Sequence, residues 1–127
     1  MTRNWFFSIA ALLALAFGGL MFLSPPFAAQ SFDLSRSGGT DALFRILGAT
    51  LLALAVMNFL VRNHPASETL KAVLWTNVAT HGLGMIADLW SAGTGALTWT
   101  GVVPGLVVHL FVGVGSLVFI VRMEPAA

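Results

Sequence analysis

The sequence predicts an all-α integral membrane protein, a four-helix antiparallel bundle forming one transmembrane domain over residues 1–127. Three observations carry that expectation. Apolar residues make up 57% of the chain and charged residues only 9%, where a soluble domain carries about 25% charged. The mean hydropathy is +0.90. The apolar residues also gather in four runs, 5–23, 42–61, 70–91 and 102–121. Each is about 20 residues, enough at ~1.5 Å per residue to cross a ~30 Å hydrocarbon core. Lipid offers no hydrogen bonds to a bare backbone, so such runs are helices and not strands.

The first run, with Arg3 ahead of it and Phe27-Ala28-Ala29 after it, has the outline of a secretory signal. It exceeds the roughly 7–15 apolar residues of such signals. Cleavage after Ala28 or Ala29 would also leave Pro26 or Phe27 where a small residue is wanted. An uncleaved first helix is expected, packing through Gly18 and Gly19 or facing lipid. Pro25-Pro26 ends it, because proline lacks the amide and clashes with the preceding turn.

The linker that follows carries Phe27 and Phe32 and suits the membrane surface, and Thr40 is the expected N-cap of the second helix. Asn63-His64-Pro65 breaks the second helix, and Ser67 caps the third with Glu68 near its positive end. Trp90 and Trp99 flank the glycine- and threonine-rich third connection, and tryptophan favours the membrane–water boundary. Pro104 sits in the tolerated first turn of the fourth helix. Short links make the second, third and fourth helices antiparallel neighbours.

Arg3, Arg62, Lys71 and Arg122 fall on one side of such a bundle, Arg36 and Arg45 on the other. The side with more basic residues is expected to be cytoplasmic, which places both termini there. The net charge of +1 supplies no field for nucleic acid, and the absence of cysteine excludes disulfides and thiolate chemistry.

The second helix carries Arg45-Ile46-Leu47-Gly48 and then a long apolar run ending Met57-Asn58-Phe59-Leu60-Val61-Arg62, after a proline break and a phenylalanine-rich linker. Over roughly residues 18–62 this arrangement resembles the small bacterial DoxX-like membrane proteins. The resemblance implies a compact four-helix bundle in a bacterial inner membrane. It supplies no catalytic residue.

The chemistry-bearing residues lie on the third and fourth helices, with Arg45 on the second. Asn77, Thr80, His81, Gly84, Asp88 and Ser91 share a ~100° arc, so this stripe faces something other than hydrocarbon. Arg45 and Asp88 each sit about one turn inside the outer ends of their helices, which predicts an ion pair with Asp41 as competitor for Arg45. Arg45 could instead meet an anionic headgroup or solute.

His81 faces His109, which lies on a stripe of Gly101, Gly105, Gly113 and Ser116, small residues that let helices approach closely. Three readings of the two histidines follow. They are hydrogen-bonded within the bundle, or they ligate a b-type haem, or with Asp88 they serve a proton- or solute-linked site. No cofactor is expected on the first reading.

No zinc-protease histidine pair, serine nucleophile elbow or phosphate-binding glycine loop is present, so an enzyme is not expected. The expected function is that of an accessory or scaffold protein, packing with membrane lipids, with itself or with a larger membrane complex. The alternative is binding or transport at a site lined by Arg45, Asn77, His81, Asp88 and His109.

Overall fold

The computed structural model describes residues 1–123. Within them the chain forms five helices: α1 (Arg3–Leu23), α2 (Pro25–Ser31), α3 (Gly38–Val61), α4 (Glu68–Gly93) and α5 (Trp99–Arg122). No strand occurs among the described residues. Helices α1, α3 and α5 are long and apolar enough to cross a membrane. Helix α4 is the longest at 26 residues, but Thr76, Asn77, Thr80, His81 and Asp88 keep it less apolar than the other three.

Two helix starts differ from their sequence expectation. Ser37, not Thr40, caps α3: its Oγ accepts the Thr40 backbone N–H at 3.0 Å, while the two hydroxyls lie 2.8 Å apart. The glycine pair therefore enters the first turn. Thr98 likewise caps α5 by accepting from the Gly101 N–H, so that helix starts at Trp99 and Pro104 lies within it, past the first turn. The proline leaves the carbonyl one turn earlier without its usual donor. Ser67 caps α4 as expected, accepting from Leu70 N–H at 3.2 Å.

The linker between the first two long helices holds a helix of its own. Pro25 and Pro26 occupy the first two positions of α2, where a missing N–H costs nothing and a fixed φ favours the turn. Ala28 and Ala29 are buried with Met21 and Phe44, so α2 is docked rather than lying loose. It leaves through Asp33, the single non-glycine residue with positive φ (56°) among those described, whose carboxylate accepts from the Thr98 hydroxyl at 2.8 Å. That bond ties the α2 corner to the start of α5.

Helix α3 packs along α1, and α4 along α5. This corrects the expectation that short links make α3 and α4 close neighbours along their length. The reason is local. Gly18 on α1 and Gly48 on α3 bring two backbones together: a Cβ on Gly48 would lie 2.6 Å from Phe22 N and 2.8 Å from the Gly18 carbonyl oxygen.

The two pairs join near the termini. Phe6 and Phe7 of α1, Leu70 and Leu74 of α4, and Val112 and Ile120 of α5 form one buried cluster, with Gly115 receiving the Phe6 ring. Arg3 donates to the His64 carbonyl at 2.7 Å and the Asn4 amide to Asn63 at 3.0 Å, pinning α1 to the α3–α4 connection. Arg3, Arg62, Lys71 and Arg122 therefore share one end of the molecule. Large apolar side chains such as Leu12, Leu43, Ile46 and Val107 point outwards and are more than 60% exposed. A surface this apolar suits lipid, not water.

Candidate functional site

The polar stripe of α4 resolves into two sets of contacts. Towards the terminal end, Asn77 is fully buried and meets Asn58 of α3, which is equally enclosed. The Asn77 amide donates to Asn58 Oδ1 at 2.7 Å and the Asn58 amide returns a longer bond at 3.4 Å. The Asn58 amide also reaches the Leu54 carbonyl at 2.9 Å. Two amides facing each other satisfy donors and acceptors that lipid cannot.

One turn further along, His81 meets His109 of α5. Their Nδ1 atoms stand 2.9 Å apart and the rings are tilted by 59°. Beyond them, His109 Nε2 lies 3.6 Å from an oxygen of Asp88, an electrostatic contact slightly longer than a hydrogen bond. Glycines make the room. A Cβ on Gly84 would strike the His109 ring, one on Gly105 would fall 2.8 Å from the Asp88 carboxylate, and one on Gly113 would touch His81 Cβ.

The order Asp88–His109–His81 implies a proton arrangement. One Nδ1 must donate and the other accept. If His81 Nδ1–H donates, His109 keeps its proton on Nε2, facing the Asp88 carboxylate. The reverse assignment would point a bare Nε2 lone pair at that carboxylate. The first arrangement is favoured, and it makes a continuous carboxylate–imidazole–imidazole line.

Arg45 is not part of it. Asp88 turns to α5 because α5 is the helix α4 packs against, and the missing side chain at Gly105 leaves room for the carboxylate. Arg45 is exposed on α3 and makes no ion pair among the described residues, while Asp41 pairs with Arg36 at 3.6 Å. Arg45 and Asp88 are thus not brought together. Asn77, His81, Asp88 and His109 all lie on the inner faces of α4 and α5.

Sequence reasoning did not single out Asn58. It sits near the end of an apolar run, where an asparagine reads as a boundary residue. Its one available signal is that it falls on the same α3 face as Gly48 and Ala55, both buried. Ser116, on the small-residue stripe of α5, is fully buried, and its hydroxyl has no partner among the described residues.

The pair His81–His109 does not fit a haem held between them. Two axial nitrogens need two metal–nitrogen bonds of roughly 2 Å each between them. Here the nitrogens are in direct contact, the His109 ring fills the space left by Gly84, and His81 Cβ lies against Gly113. Among the described residues no three His, Cys, Asp or Glu side chains gather as a metal site would require.

Two sizeable cavities lie elsewhere. One of about 460 Å³ is at the α2 corner, beside Phe27, Gln30, Asp33 and Arg36. The other, about 580 Å³, is an apolar groove between α1 and α3. Comparison of the chain with protein-family models, curated proteins and solved structures finds no match.

Proposed function

We propose that this chain is a multi-pass inner-membrane protein of the DoxX-like kind, a four-helix bundle that acts by packing with a larger membrane complex or with itself. In this reading α4 spans the membrane with α1, α3 and α5, its polar side chains turned inward, and both termini are cytoplasmic. The supporting observation is where the polar side chains point. Asn77 and His81 are occupied by Asn58 and His109, and neither cavity is lined by them or by Asp88. A ligand site needs a concave opening onto its polar groups. What the molecule offers outwards is apolar helix surface.

Native mass spectrometry of the chain extracted in mild detergent from its own membrane tests this. The expected result is a stoichiometric assembly with another chain or with copies of itself. A bare monomer under those conditions would sink the reading.

One observation favours a second reading, a proton-linked role. The line Asp88–His109–His81 runs from a partly exposed carboxylate to a buried imidazole, and intramembrane ionisable groups often mark proton paths. The measurement is ¹⁵N NMR of the imidazoles in micelles. His81 is expected as the Nδ1–H form and His109 as the Nε2–H form. In Asp88→Asn both should redistribute, since losing the carboxylate frees His109 and His109 in turn releases His81. If His81 is unmoved while His109 shifts, the three groups are not coupled and the relay is wrong.

A further inference from the structure

The apolar groove between α1 and α3 has a built floor, walls and mouth. Ser8, Ala11 and Ala55 form a floor of small residues. Leu12, Leu15 and Phe59 rise as exposed walls. It runs from Ser8 to Leu15 on one helix and from Leu60 to Leu52 on the other, about 10–12 Å along the axis. That approaches the ~15 Å depth of one leaflet's hydrocarbon, half of a ~30 Å core.

The mouth is polar and basic. The Arg62 guanidinium lies 3.5 Å above the ring of Phe59, a wall residue, and donates to the Phe59 carbonyl. Stacking and that bond hold a delocalised charge at the open end of the groove. Beside it, the Asn4–Asn63 bond bridges α1 to the end of α3, adding amide groups at the same level. The groove thus offers hydrocarbon below and a fixed cation with hydrogen-bonding amides above.

The geometry points to a binding site for one anionic phospholipid, an acyl chain lying in the α1/α3 groove and the phosphate at Arg62. The occupant is a lipid and not a partner helix because the groove is about 10–12 Å long, within one leaflet, and ends at a cation. A transmembrane helix would run on past both ends of so short a groove and leave the Arg62 charge without an anion. The site does not involve Asn77, His81, Asp88 or His109. It rests on the membrane reading and on no particular partner.

The test uses the full chain in detergent, washed free of native lipid, then offered phosphatidylglycerol or phosphatidylcholine with matched acyl chains. Native mass spectrometry counts lipids retained. One bound phosphatidylglycerol is expected, preferred about fivefold over phosphatidylcholine, from the attraction of one basic residue. Arg62→Glu should erase that preference while leaving acyl-chain binding. Ala55→Phe should fill the floor and abolish retention of both lipids, with Ser8→Leu as a second variant acting on the opposite wall of the floor.

Equal retention of the two lipids by the unaltered chain overturns the proposal. So does undiminished retention in whichever floor variant keeps its helical circular dichroism, or a second copy of the chain occupying the groove in place of lipid. Alkaline washing of the native membrane separates this failure from that of the membrane reading. A chain that stays in the pellet yet shows no lipid preference loses the site alone, whereas a chain released into the supernatant loses both.

Discussion

Gly48→Val is expected to separate α1 from α3. The contact it would break is backbone on backbone: the nearest atoms to a Cβ at Gly48 are Phe22 N, the Gly18 carbonyl oxygen and Phe22 Cα, all within 3.0 Å. None of these is the tip of a side chain that can rotate away. The helices must move apart, which loses dispersion contacts along the seam. Overpacking at such a site costs about 3 kcal/mol or more. Unfolding in mixed micelles of rising denaturing-detergent fraction, followed by circular dichroism, measures it.

Gly19→Ala provides the control within the same helix. A Cβ there meets nothing within 4 Å. The alanine should be neutral or stabilising by up to about 1 kcal/mol, the usual helix preference of alanine over glycine. Equal stability of Gly48→Val and the unaltered chain would show that α1 and α3 do not pack as described.

The second large effect belongs to the amide pair. Asn77→Leu should cost about 1–2 kcal/mol, because Asn58 keeps its Leu54 carbonyl bond but loses the partner that accepts and returns across the α3–α4 gap. Asn58→Leu should cost a similar amount. The double variant should cost less than the sum, since two leucines leave no buried amide wanting a partner. Interhelical bonds in membranes average about 0.6 kcal/mol in such cycles, and a fully buried reciprocal pair is expected at the upper end of the range. Strict additivity would mean the two amides do not interact. The cycle isolates the asparagine contribution to holding the α1/α3 pair against the α4/α5 pair, beside that of the Phe6–Leu74 cluster.

The two polar contacts of α4 therefore have different consequences. The asparagine pair joins helices from different pairs, and losing it loosens the assembly. The His81–His109 contact lies within the α4/α5 pair, where the glycines at 84, 105 and 113 already bring the helices together. Its loss is expected to change proton distribution more than stability.

Several of these features were legible without coordinates. Four apolar runs of membrane-spanning length imply helices, since a backbone in lipid must satisfy itself. Three of the four carry enough apolar character to span, and the fourth is a helix whose polarity was visible as a stripe. The Ser67 cap, the proline breaks and the crowding of Arg3, Arg62, Lys71 and Arg122 at one end follow from local chemistry and chain direction, whereas Ser37 displaced Thr40 as the cap of α3. His81 and His109 could be set within a few ångströms of one another in depth by counting residues from the helix ends.

Depth is not azimuth, however, and the partners of Arg45, Asp88 and Asn77 depended on azimuth. Periodicity tells which side of its own helix a residue occupies. It does not tell which neighbour lies there. That was decided by Gly18 against Gly48 and by the glycines of α4 and α5, whose close approaches select α1 for α3 and α5 for α4. With the pairs so chosen, Asp88 faces His109 while Arg45 stays exposed, and an asparagine near the end of α3 becomes the buried partner of Asn77. The sequence by itself determined the four long helices and the level at which each polar group sits, but not the short α2. Only the tertiary structure decided which of those groups meet, because steric fit between whole helix faces sets their rotation.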